Sequence, residues 1–158
     1  QDVYKSEEVW VIRITPEAGD VKDGEFRELP LHSHLIEQGF LDAVRKADNG
    51  PLFYDPKRHR GGTEGNPQHK KATEALARWV RKLGVDDPRV QPNHGWRHRF
   101  ETEMRRAEVD FEARHVFTGR AFKTESGNYG RWDPASLKRE LEKVRRIVLK
   151  KEAEGRAA

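Results

Sequence analysis

The stretch Pro92-Asn93-His94-Gly95-Trp96-Arg97-His98-Arg99-Phe100-Glu101-Thr102-Glu103-Met104 decides how the chain is read. Trp96, Phe100 and Met104 recur at i, i+4 and i+8, which is one stripe of an α-helix. A proline-containing link, Asp86–Pro92, leads into it. Downstream, Asp110 is placed to cap a helix holding Phe111, Val116 and Phe117, with Gly119 near its end. Asp133 and Pro134 then open a last helix whose Leu137, Leu141, Val144 and Val148 form one apolar stripe. Upstream, Asn66-Pro67 starts a helix with Ala72, Ala75, Leu76, Trp79, Val80 and Leu83 on its apolar face, stopped by Gly84. Before that, Ser33 is a possible cap for a helix carrying Leu35, Ile36, Phe40, Leu41 and Val44.

The chain begins differently. Val9-Trp10-Val11-Ile12-Arg13-Ile14 is a short β-branched run closed by Pro16, the pattern of a strand. Asp23-Gly24 sits between two short extended pieces, a strong hairpin signal, and Pro30 restricts the second piece to an edge or a strand end. The expectation is a mainly α-helical α+β fold, with a small antiparallel sheet of about three strands followed by about five helices. It would form a single domain over 1–158: sheet and hairpin in 1–32, a helical core in 33–132, and a carboxy-terminal helix in 133–158.

Composition narrows the function. The 158 residues contain no cysteine, which removes disulfides, thiolate ligands and cysteine nucleophiles. No run approaches the roughly 18 apolar residues of a membrane span, and no signal peptide opens the chain. Leu, Ile, Val and Phe make up about 21% of the chain, close to the level at which disorder sets in. The net charge of +4 is small enough for a modest core to form. That charge is unevenly spread: residues 1–56 balance to −6, 57–130 to +6 and 131–158 to +4. The basic two thirds suit a polyanion, equally a set of solvated helix faces.

His94 and His98 have the i, i+4 spacing of a helical zinc pair, yet the glutamate that a zinc protease needs beside the first histidine is Gly95, and no third ligand is evident. His32 and His34 read as exposed loop histidines. Gly61-Gly62-Thr63-Glu64-Gly65 lacks the Lys-Ser/Thr of a phosphate-binding loop. No metal and no cofactor are therefore expected. What remains is an Arg/His cluster and a late tyrosine between glycines, Gly127-Asn128-Tyr129-Gly130. A tyrosine can act as a covalent nucleophile if arginines stabilise the charge that develops and another group handles its proton.

The box His94-Gly95-Trp96-Arg97 resembles the His-x-x-Arg motif of tyrosine recombinases, the phage-integrase family. Two further motifs of that family fall at matching offsets: Gly119-Arg120 stands where it has Gly-His, 23 residues after Arg97, and Tyr129 follows nine residues later. Upstream, Lys22 and Arg27-Glu28-Leu29-Pro30-Leu31 are similar to its hairpin lysine and following Arg-x-Val-Pro-Leu segment. The likeness spans about residues 9–150 and is closest to integrases of prophages and other mobile elements. It implies DNA recombination and integration by cleavage and rejoining through a 3′-phosphotyrosyl link. Tyr129 would be the nucleophile. Arg97, His94 and Arg120 would surround the phosphate, and Lys22 would protonate the departing 5′ oxygen. Lys57, Arg58, Arg60, Lys70 and Lys71 would touch the duplex backbone. The partner would be double-stranded DNA, with the full-length protein a tetramer on it, in a bacterial cytoplasm.

Two departures qualify that expectation. The first catalytic arginine of the family would lie before Gln1, so the chain reads as the carboxy-terminal part of a catalytic domain. Losing even one oxyanion donor costs about 3–4 kcal/mol of transition-state stabilisation, so the isolated fragment is expected to be inactive. Arg120 in place of histidine can still donate to a phosphate oxygen but cannot act as a base near neutral pH. The alternative is a degenerate, non-catalytic DNA-binding domain of the same fold.

Overall fold

The computed structural model describes residues 2–15, 26–53, 68–120 and 132–148. Three strands, β1 (Val3–Ser6), β2 (Val9–Ile14) and β3 (Arg27–Pro30), form an antiparallel sheet in that order. Val3 lies opposite Ile12, and Ile14 opposite Arg27. β1 has no counterpart in the sequence reading. Its turn uses Glu7 at φ 53° rather than a glycine or asparagine, so no local signal marks it. β3 is an edge strand ending at Pro30, as its missing N–H requires. Leu31 resumes the pairing by donating to the Trp10 carbonyl at 2.8 Å. The expected Asp23-Gly24 hairpin, with Lys22, lies outside the described residues.

Six helices follow among the described residues: α1 (Ser33–Glu37), α2 (Phe40–Ala47), α3 (Gln68–Lys82), α4 (Pro92–Arg106), α5 (Phe111–Thr118) and α6 (Pro134–Glu142). One expected helix is two, because Gly39 adopts φ 85° between α1 and α2. The cap of α1 is His32, not Ser33: the His32 ring accepts from the His34 N–H at 3.0 Å. Asp110 and Asp133 do cap α5 and α6. Asp110 accepts from Glu112 and Ala113, and Asp133 from Ser136. Asn66-Pro67 lies outside the described residues.

The core has two parts. Val3, Leu31 and Val44 are buried under Trp10, Ile12, Ile36 and Phe40, joining the sheet to α1 and α2. Met104, Val109, Ala113 and Leu137 are buried among Phe100, Val116, Phe117 and Trp132, joining α4, α5 and α6. The apolar face of α3 is mostly unburied. Val80 is covered, whereas Leu76, Trp79 and Leu83 are exposed. No described helix is long and apolar enough to cross a membrane.

α6 ties the two parts together through polar contacts at the loop after β3. The Ser33 N–H donates to the Glu142 carboxylate at 2.7 Å, and Lys138 donates to the Leu31 carbonyl and to Ser33 Oγ. Lys138 also pairs with Glu142. His32 Nδ1 is occupied as an acceptor, so Nε2 carries the proton and donates to the Val144 carbonyl at 2.8 Å. His32 is thus half-buried and structural rather than an exposed loop residue. These contacts also explain why the stripe expected to run to Val148 stops short. α6 ends at Glu142, Val144 packs on the core, and Arg145 and Arg146 turn to Glu103 and Glu37. Ile147 and Val148 are exposed.

Burial of the Glu142 carboxyl opposes its ionisation, but Lys138 and the Ser33 N–H and hydroxyl outweigh burial and hold its pKa below the ordinary 4.5. A carboxyl whose folded-state pKa is depressed stabilises the fold above its unfolded pKa and loses that contribution as pH falls through the folded value. Glu142→Gln is therefore expected to be less stable than wild type at neutral pH, with the difference shrinking on acidification below about pH 4.5. Urea midpoints measured for both proteins across that range would show it, and a difference independent of pH would contradict the assignment.

Candidate functional site

The end of α5 is a Schellman turn, and the candidate site is built on it. Gly119 adopts φ 59°, its N–H bonds to the Val116 carbonyl at 3.2 Å, and the Arg120 N–H bonds to the His115 carbonyl at 3.1 Å. The motif leaves the Thr118 carbonyl free to accept, and Arg97 of α4 donates to it through Nη2. A guanidinium at this helix end is also favoured by the negative pole of the α5 dipole. The same turn sends the Arg120 side chain back to α4, where Nη1 meets Glu101 at 3.1 Å. Arg97 and Arg120, 23 residues apart in sequence, therefore meet at one corner of the α4–α5 hairpin.

α4 has distinct faces. His94, Arg97 and Glu101 recur at i, i+3 and i+7 and so share one side. His94 is exposed one turn before Arg97. Glu101 is 13% exposed and is shared between Arg120 and Arg105, the latter at 3.3 Å. Trp96, Arg99, Phe100 and Glu103 fall on the opposite side, where they line a groove of about 670 Å³ with α1 and the segment after α6. That groove is apart from the Arg/His corner. Among the described residues, no three His, Cys, Asp or Glu side chains group as a metal site would need.

The basic start of α3 is brought towards the same end of α4. Asn93, next to His94, donates to the Thr73 carbonyl at 3.3 Å, one turn from the exposed Lys70. Lys71 is exposed beside it. This arrangement depends on Arg81, which gathers the link between α3 and α4 by donating to the carbonyls of Val85, Asp87 and Val90 at 2.5–2.8 Å. Lys22, Lys57, Arg58, Arg60 and Tyr129 lie outside the described residues.

Three contributors to this corner were not singled out as site residues from the sequence. Thr118 is buried and supplies the carbonyl that Arg97 holds, and Glu101 orients Arg120. Arg27 of β3 is the third, its side chain reaching the Gly119 turn. Only the helical spacing of Glu101 from Arg97 offered a sequence signal. The contacts of Arg27 and Thr118 are long-range.

Comparison of the chain with protein-family models, with curated proteins and with solved structures finds no match.

Gly119 is required for its positive φ. A Cβ there would meet only the tip of the long Arg27 side chain, which can move aside. Gly119→Ala should therefore cost the ~1–2 kcal/mol of a left-handed alanine. Urea unfolding would check this against Gly84→Ala, at φ 92° in open space, which should lose a similar amount; a much larger loss at Gly119 would contradict it.

Proposed function

We propose that the chain has the catalytic fold of a tyrosine recombinase and acts on double-stranded DNA. The observation that carries this reading is the meeting of Arg97 and Arg120 at the Gly119 turn. Two guanidiniums at one corner, with an exposed histidine on the Arg97 face, suit a phosphodiester. Arginine offers a planar fork of donors that keeps its charge at any working pH. In this reading Arg97 and Arg120 hold the non-bridging oxygens, and His94 bonds the same phosphate or assists the tyrosine proton. Tyr129 attacks phosphorus, and Lys22 protonates the leaving 5′ oxygen. Phosphodiester energy is kept in the 3′-phosphotyrosyl link, so rejoining needs no nucleotide. Lys70 and Lys71 add backbone affinity without reading sequence. A protein working on chromosomal DNA in this way belongs in the bacterial cytoplasm and assembles as a tetramer across two duplexes.

A second reading has its own support. Arg120 is engaged by Glu101, and Arg97 by a main-chain carbonyl. Both arginines have protein partners, and position 120 is not a histidine. This favours a domain that grips DNA without cutting it.

The two readings share one prediction and differ in another. The logarithm of duplex affinity should fall linearly with log salt, and Arg97→Gln and Arg120→Gln should each reduce the slope by about 0.9, the loss of one phosphate contact. A flat salt dependence would rule out both. The readings part in the full-length protein on a nicked duplex of its own site. There, Tyr129→Phe should abolish a covalent adduct and leave binding unchanged, whereas a wild type that never forms the adduct selects the binding-only domain.

A further inference from the structure

We infer that the outer face of α3 docks an acidic amphipathic helix of a partner protein. The inference is independent of the DNA reading, because it rests on residues outside the Arg97–Arg120 corner. Ala72, Leu76, Trp79 and Leu83 are spaced by four, three and four residues, the a/d seam by which one helix packs along another. Leu83 belongs to the row because its N–H still bonds the Trp79 carbonyl at 3.1 Å. Leu76 is 44% exposed, Trp79 52% and Leu83 63%. α3 uses another side for its own fold: Val80 is buried, Arg81 gathers the link to α4, and the Thr73 carbonyl accepts from Asn93. An indole and two leucines in one uncovered row form an interaction surface, unlike singly scattered apolar residues.

Charge selects the occupant. Arg78 and Lys82 immediately precede Trp79 and Leu83, are both exposed, and form a basic border along the row. Among the described residues no carboxylate, Glu74 included, pairs with either. A helix that lays apolar side chains into the row and carries Glu or Asp along its flank satisfies both features. The row is one side chain wide, the width of a helix seam, whereas a lipid surface takes a broader apolar face with cations along both borders. The phosphate backbone of DNA would engage the border but leave the indole and leucines uncovered. An antiparallel pairing with the same face of a second copy would set two basic borders side by side, which like charge opposes.

The test titrates the 158-residue chain into two labelled synthetic helices and follows fluorescence anisotropy. Both peptides carry Leu at a and d; one has Glu at e and g, whose mutual repulsion keeps it single, and the other has Lys there. The Glu peptide should bind saturably and the Lys peptide should not. Trp79→Ala should weaken binding by about tenfold or more, the usual cost of losing an interfacial tryptophan. Arg78→Glu combined with Lys82→Glu should transfer binding from the Glu peptide to the Lys peptide, with the melting midpoint unchanged because both positions are exposed. Equal binding of the two peptides, or binding of neither, would overturn the inference. So would sedimentation showing that the wild type pairs with itself through Trp79, or capture by phosphatidylserine vesicles in place of the Glu peptide.

Discussion

The missing side chain of Gly119 is the constraint on which the candidate site depends. Its left-handed backbone closes α5 and releases the Thr118 carbonyl to Arg97. The Arg27 side chain of β3 reaches the same turn. The Schellman bond from Arg120 then turns the next side chain towards Glu101. Elements from both parts of the core, β3 from one and α4 and α5 from the other, converge on two residues. A substitution here would act on stability and on the proposed anion site together.

That convergence needs the two halves of the core held in register, and α6 does this. Its Lys138 and Glu142 bind the loop immediately after β3, and His32 holds the chain after α6 through the Val144 carbonyl. β3 is short and lies at the edge of a three-stranded sheet. Without that polar clasp, its position relative to α5 would rest on few apolar contacts. The clasp combines charge-assisted and part-buried hydrogen bonds, which contribute more than exposed ion pairs. Leu137 and Leu141 on the same helix supply the apolar side of the joint.

Much of this was legible in the sequence where the physics is local. Asp110, Asp133-Pro134 and Gly119 mark helix ends because caps and left-handed turns need particular residues at particular positions. The mixed, mainly helical fold with a small antiparallel sheet follows from the same local signals. Decisions made at a distance were not legible. β1 is only four residues long, with Val3 its one buried side chain, and is made into a strand by pairing with β2. The periodicity of α3 revealed a helix, yet Leu76, Trp79 and Leu83 are uncovered, because period reports a face and not what packs on it. α6 ends early because Val144, Arg145 and Arg146 find partners on other elements. For the site, the offsets linking Arg97 and Arg120 could be read from the chain, whereas the hold of Arg97 on the Thr118 carbonyl depends on how α4 lies against α5.

The central proposal is that Arg97 and Arg120 at the Gly119 turn form one anion site, and arginine side-chain NMR tests it most directly. A short DNA duplex would be titrated into the labelled chain while the Nε–Hε signals are followed. The account predicts that Arg97 and Arg120 shift together with a single affinity, while Arg45, paired with Asp42 on α2, stays in place. Corner signals that do not move, or that move no more than Arg45, would contradict it.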